Sequence, residues 1–245
     1  RVDASHAYFS NPETAPILRN LFPEARFLVI LRQPKARAHS LYEHMRRSLH
    51  EDGRPMELAP TFLNALCMEG ERFHSRRFFS ECRHYFWNFM YMRSSFYDEQ
   101  LARYFSLFAR DRFLVMSLAA FEHQPQRTVQ SIADFLELDV TGFGDQVPDA
   151  NVAPPYPPFG TECDAIMEAH FGDLMARVDR LVGRALDWSR AGRLPPLVVT
   201  RPAVERGPGR FGAAVNAGDG APVCPLLRVL LTVPHRLSPE PICRD

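Results

Sequence analysis

Two short apolar runs organise the chain, and each is bounded by charge. The first, Phe27-Leu28-Val29-Ile30-Leu31, lies between Arg26 and Arg32 and is followed by Pro34. A continuous apolar run of this length, closed by charge and proline, predicts a strand buried on both faces in a parallel sheet. Pro34 predicts the first turn of a helix, where its missing N–H is not needed. The second run, Phe113-Leu114-Val115-Met116 after Arg112, predicts another strand over 112–117. Helical spacing fills the intervals. It runs roughly from Pro12 to Leu21, over 98–110, and over 125–137 with Thr128, Ile132 and Phe135 on one side. It returns over 162–189, where Ile166, Phe171, Leu174, Val178, Leu181 and Leu186 recur before Trp188. Residues 57–92 also read as helical and carry Phe73, Phe78, Phe79, Tyr85, Phe86, Trp87, Phe89 and Tyr91. Such a band predicts core or a helix–helix seam. Strands alternating with helices predict an α/β domain with a mainly parallel sheet. Residues 141–160 read as a loop rich in proline, glycine and aspartate. Beyond about residue 190, prolines and glycines break every period, which predicts a loosely attached or disordered tail over 191–245.

Composition narrows the class without choosing a function. The chain has 245 residues, 46% hydrophobic and 24% charged, which suits one globular domain. Its formal net charge of zero gives no global field favouring nucleic acid or an anionic membrane. No run approaches the ~18 apolar residues of a membrane span. The five cysteines follow no zinc spacing. Positive charge is local: Arg32, Lys35, Arg37, Arg46 and Arg47 cluster around the first strand and the helix after it. For Arg46 and Arg47 a solvated helix face is at least as good a reading as steering of an anion.

The first strand ends on Arg32, at the edge where open α/β sheets place their ligand crevice. Ser40 follows about two helical turns into the next helix. A guanidinium and a hydroxyl on rigid elements grip a phosphate well. The pattern Leu31-Arg32-x-Pro34-x-x-Arg37-x-x-Ser40-x-Tyr42 resembles the 3′-phosphate-binding motif of sulfotransferases that use PAPS (3′-phosphoadenosine-5′-phosphosulfate), most of all the Golgi-type carbohydrate sulfotransferases. Asp3-Ala4-Ser5-His6-Ala7-Tyr8-Phe9 resembles the acidic segment of the same family, and Ser95-Phe96-Tyr97-Asp98-Glu99-Gln100-Leu101 resembles its Gly-x-Tyr-x-x-x-Leu segment. The order then runs through the second strand, Glu122, Pro125 and a helix closing on Phe135-Leu136-Glu137-Leu138. The resemblance spans roughly residues 1–190.

It implies a P-loop-type three-layer αβα fold and transfer of a sulfuryl group from PAPS to a glycan hydroxyl, leaving PAP, with no metal. It implies that Arg32 and Ser40 hold the cofactor's 3′-phosphate and that Tyr97 packs near the adenosine. Asp3 matches the general base, although one methylene shorter than the usual glutamate; His6, in place of a proline, is the runner-up. Arg37 reads as structural if Arg32 and Ser40 share a face. A cysteine pair in a comparable place suggests a Cys67–Cys82 disulfide, the alternative being two buried thiols. The aromatic band has a second reading as a lid, with Trp87 or Tyr91 stacking on a sugar ring. The glycine-rich phosphate loop of the family has no counterpart here. The expectation is that it precedes Arg1, together with any membrane anchor of a type II Golgi protein. Two other readings stay open: another P-loop nucleotide enzyme such as a kinase, and a non-catalytic pseudoenzyme or glycan-binding protein.

Overall fold

The computed structural model describes residues 3, 7–50, 52–82, 85–139 and 158–189. The two apolar runs form β1 (Phe27–Leu31) and β2 (Phe113–Ser117). They pair in parallel, in register from Phe27 opposite Phe113 to Leu31 opposite Ser117. Among the described residues these two strands make up the sheet. Helices surround them: α1 (Ala7–Ser10), α2 (Thr14–Leu21), α3 (Pro34–Arg47), α4 (Phe62–His74), α5 (Arg76–Cys82), α6 (Tyr97–Leu107), α7 (Leu118–His123), α8 (Pro125–Leu136), α9 (Thr161–Phe171) and α10 (Leu174–Val182). The fold is α/β. Burial on the sheet is aromatic at its amino end. The Phe27 ring stacks on Phe113 at 4.8 Å and meets the edges of Phe108 and Tyr104 at 4.6 and 5.3 Å. Such geometry adds to the area these rings remove from water.

The segment 57–92 is not one helix. It contains α4 and α5, then a 3-10 turn over Phe86–Phe89; a second such turn, Arg93–Ser95, follows just beyond it. The physical reason is a set of buried side chains that replace helical hydrogen bonds. Thr61 starts α4 by accepting the Asn64 N–H. The Glu69 carboxylate accepts the N–H groups of Met92 and Arg93 at 2.7 and 2.8 Å. Glu57 takes the Ala59 N–H at 2.6 Å, the Tyr91 hydroxyl at 2.5 Å and both terminal nitrogens of Arg72 at 2.7 and 2.6 Å. The aromatic band is core: Phe86, Phe89 and Tyr91 are buried. Tyr91 therefore offers no face to a sugar, and Trp87 packs half-buried against the same core.

The helical stretch 162–189 is likewise divided. It breaks between Phe171 and Leu174 and ends at Gly183, whose φ of 79° is the left-handed cap that glycine adopts without strain. Beyond it the chain folds back because Asp179 accepts the Leu186 N–H and the Trp188 indole N–H, at 3.1 and 2.9 Å. The suggested Cys67–Cys82 bridge does not form. Cys82 is a free thiol, whereas Cys67 is disulfide-bonded. Among the described residues no helix is long and apolar enough to cross a membrane. Most of the 141–160 loop and the whole 191–245 tail fall outside them.

Candidate active site

Parallel strands share a carboxyl end, so Leu31 and Ser117 deliver their following residues to one crevice. From β1 come Arg32 and the turn into α3. That turn is set locally: the Gln33 side chain accepts the Ala36 N–H at 2.7 Å, and Pro34 occupies the first helical turn. From β2 comes Ser117, which caps α7 by accepting the Ala120 N–H at 3.1 Å. Glu122 follows one turn later.

Tyr97, at the start of α6, locks the first turn from behind. Its hydroxyl donates to the Arg32 carbonyl at 2.9 Å. Its ring is fully buried and stacks on Trp188 at 6.3 Å. Burial pushes the phenol up to about 12, against the pull of Arg37 and Arg32, so it stays a donor at ordinary pH. The Arg32 backbone is thus held while its guanidinium is left unused: Nε is buried without a hydrogen-bond partner. Oε2 of Glu122 is buried and unpartnered as well. Burial raises the Glu122 carboxyl, with Arg32 and His123 opposing it. An unmet buried polar group costs about 1–3 kcal/mol. A ligand oxygen that accepts from Arg32 relieves that cost, and a phosphate oxygen suits the arginine fork.

Ser40 lies in α3, about 9 Å along the axis from Pro34 at 1.5 Å per residue, and keeps part of its surface open. Arg37 is buried. One terminal nitrogen donates to the hydroxyls of both Ser94 and Ser95 at 2.9 Å. It has no ion pair among the described residues. The other cations of the cluster are spoken for. Lys35 bridges to Asp164 and Glu168 of α9 at 2.8 and 2.6 Å. Arg46 and Arg47 both reach Glu43, which makes theirs the bland reading of the two. Of these five cations, Arg32 is the one whose guanidinium makes no hydrogen bond or ion pair among the described residues.

Asp3 is exposed and accepts the Tyr8 hydroxyl at 3.0 Å. The Tyr8 carbonyl in turn takes the Tyr104 hydroxyl at 2.7 Å. Tyr104 sits two turns beyond Tyr97 on α6 and packs on Phe27 and Phe113, the first residues of the strands. Asp3 is therefore linked through Tyr8 to Tyr104. The structure brings Arg32 and Tyr97 together. His6 lies outside the described residues. The sequence singles out Ser95 as part of a segment and Trp188 as the end of a helical stretch, but the Ser95 bond to Arg37 and the Trp188 stack on the Tyr97 ring come only from tertiary packing. Glu122 had a signal, an acidic residue between strand and proline. Among the described residues no group of three or more His, Cys, Asp or Glu side chains is placed to hold a metal ion.

The sulfotransferase domain family matches residues 14–153, which include both strands together with Arg32, Ser40, Tyr97 and Glu122. The chain belongs to that family. Among solved structures it is similar to a sulfotransferase from Alicyclobacillus acidocaldarius, with 27% identity and a TM-score of 0.55. That likeness covers 75% of this chain, and the chain spans 65% of the bacterial protein's length. No curated protein matches. This sulfotransferase domain thus places its unpaired arginine at the crevice edge of a P-loop-type α/β fold.

Proposed function

We propose that the protein transfers a sulfuryl group from PAPS to a carbohydrate hydroxyl, with Arg32 and Ser40 holding the 3′-phosphate of the donor and of the product PAP. The observation that carries this reading is the buried, unpartnered Nε of Arg32 at the carboxyl end of β1. The nucleotide supplies the activated sulfuryl group. The chain supplies a fixed guanidinium, oriented through the Tyr97 bond to its backbone, and a hydroxyl on the helix that follows. Tyr97 serves the turn with its hydroxyl, and its ring, buried against Trp188, supports the site from behind. The glycan acceptor and a Golgi-lumen address rest on the motif around Arg32 and Ser40.

The test is calorimetry on the full-length protein with PAP and with adenosine 5′-phosphate, which lacks the 3′-phosphate. PAP is expected to bind more tightly. Arg32→Ala and Ser40→Ala are expected to narrow that gap, Arg32→Ala by about 1.5–3 kcal/mol for a charge-assisted contact. Equal binding of the two nucleotides would refute the reading. The engagement of the Asp3 carboxylate by the Tyr8 hydroxyl favours a second reading, nucleotide binding without transfer. Sulfation of a glycan panel by the wild type, lost in Asp3→Asn, decides for catalysis; PAP binding with no transfer decides for the second reading.

A further inference from the structure

Acidic and basic residues balance over the whole chain, but not in the cavity between β2, α8 and the end of α10. That cavity holds about 570 Å³, within the ~300–1,000 Å³ of ordinary small-molecule sites. Arg110, Arg127 and Arg184 line it, and among the described residues no aspartate or glutamate does. None of the three makes an ion pair among the described residues. Their neighbours do: Arg112 reaches Glu24, Arg26 reaches Glu137 and Arg177 meets Asp98. Arg32, Ser40, Tyr97 and Glu122 are not part of the lining, so the cavity is a different place from the crevice beyond the strands.

Two of the guanidinium groups are held in position. Arg110 donates to the Leu181 carbonyl and lies over the Phe105 ring, 4.2 Å from its centre. Arg184, just past the Gly183 cap, donates to the Val115 carbonyl of β2 at 2.5 Å. Each bond uses one of five N–H donors, so charge and donors remain for a ligand. Arg127 has less reason to stand where it does. It lies in the first turn of α8, where the helix dipole disfavours a cation, and its partner is the neutral Gln124 side chain at 3.2 Å. Gathered like charges oppose the compact state, and a bound anion offsets that cost. Much of the remaining lining is apolar: Phe105 meets Phe113 edge-on at 4.9 Å, and Leu114, Met116 and Val182 adjoin them. The Thr128 and Ser131 hydroxyls donate to the Ala120 and Arg127 carbonyls. Recognition of charge therefore falls to the arginines.

We propose that this cavity is a second binding site, for an organic anion that lays an apolar body against Phe105 and Phe113 and turns a sulfate or carboxylate group to Arg110, Arg127 and Arg184. A planar guanidinium fork suits either head group. Binding there asks nothing of Arg32 or Ser40, so it stands or falls apart from the nucleotide reading.

Calorimetry on the full-length protein tests this with 2-naphthyl sulfate, 2-naphthoate and uncharged 2-naphthol. The variants are Arg127→Gln, Arg110→Gln and Arg184→Gln, with Arg46→Gln on α3 as the control. At least one of the two anions is expected to bind about 10-fold or more tighter than 2-naphthol, the scale of one charge-assisted contact, and the tighter of them identifies the head group. Arg127→Gln should weaken that anion about 10-fold and leave 2-naphthol within a factor of two; Arg46→Gln should change neither. Arg127 is exposed and bonded only to a nearby side chain, so this variant keeps the test open if the loss of a carbonyl bond unfolds Arg110→Gln or Arg184→Gln. Saturating PAP should leave the anion's affinity unchanged. Anions that bind no better than 2-naphthol, or a preference kept in full by Arg127→Gln, would overturn the proposal. So would displacement by PAP, which would put the anion in the nucleotide crevice. If PAP itself fails to bind, the nucleotide reading falls and the dependence on Arg127 still decides this one.

Discussion

Replacing Arg72 with methionine isolates what the buried Glu57–Arg72–Tyr91 group does for the domain. Both charged side chains are almost fully enclosed, at 7% and 0% exposure. Glu57 accepts four hydrogen bonds, two of them from Arg72. The guanidinium also lies over the rings of Phe78 and Phe89, at 5.4 and 5.6 Å from their centres. Arg72→Met keeps the packing volume and leaves a buried carboxylate with its charge unmatched. That is expected to cost about 3–5 kcal/mol, a large part of a typical total of about 5–15 kcal/mol. Arg72→Met combined with Glu57→Leu removes both charges and should recover most of the loss, to within about 1–2 kcal/mol of the wild type. The assay is urea denaturation, with the midpoint read at unchanged slope. The pH dependence gives a second readout. Burial pushes the Glu57 carboxyl up, but its bonds to Arg72 and Tyr91 outweigh this, and the net displacement is below the ordinary value of 4.5. Its stabilising contribution is present above that value and is lost as pH falls through the lower folded one. In Arg72→Met burial acts with less opposition, so the sign should reverse and stability should fall as pH rises past 4.5. A loss under about 1 kcal/mol for Arg72→Met, or a double variant as weak as the sum of the singles, would refute this account.

Other expectations follow from single groups. Burial, partly opposed by the N–H groups of Met92 and Arg93, raises the Glu69 carboxyl from 4.5 to about 7. The folded chain then holds a proton that the unfolded chain releases, so this contribution is full below 4.5 and is lost as pH rises through about 7. Denaturation at several pH values should show the wild type losing stability relative to Glu69→Gln across that window; parallel curves would exclude it. Tyr97→Phe leaves the Arg32 carbonyl without its donor and should cost about 1–2 kcal/mol by chemical denaturation, with weaker PAP binding. Unchanged values for both would remove Tyr97 from the support of the turn. Gly183→Ala meets no atom within 4 Å, so its cost is conformational alone, about 1 kcal/mol for a left-handed cap. A melting temperature equal to the wild type would contradict that cap.

Local chemistry in the sequence determined β1, β2 and the start of α3. An apolar run closed by Arg32 and Pro34 has few other solutions, since the strand buries both faces and the proline sets the first helical turn. The same logic made Arg32 the candidate anchor and gave the order of elements that the family match spans. Where sequence and structure part, the deciding partner is distant in the chain. The 57–92 segment breaks into two helices and turns because Glu57 and Glu69 capture backbone and side-chain donors up to 34 residues away. The helix over 162–189 ends early because Gly183 adopts the left-handed cap and Asp179 draws Trp188 back. Charge divides in the same way: Arg46 and Arg47 find Glu43 on their own helix, three and four residues back, whereas only packing brings Lys35 the carboxylates of α9 and leaves Arg32 with an empty nitrogen. Apolar spacing is a property of neighbours in sequence and survives into the fold. The pairing of buried charge depends on which elements meet, and that is settled only when the chain closes on itself.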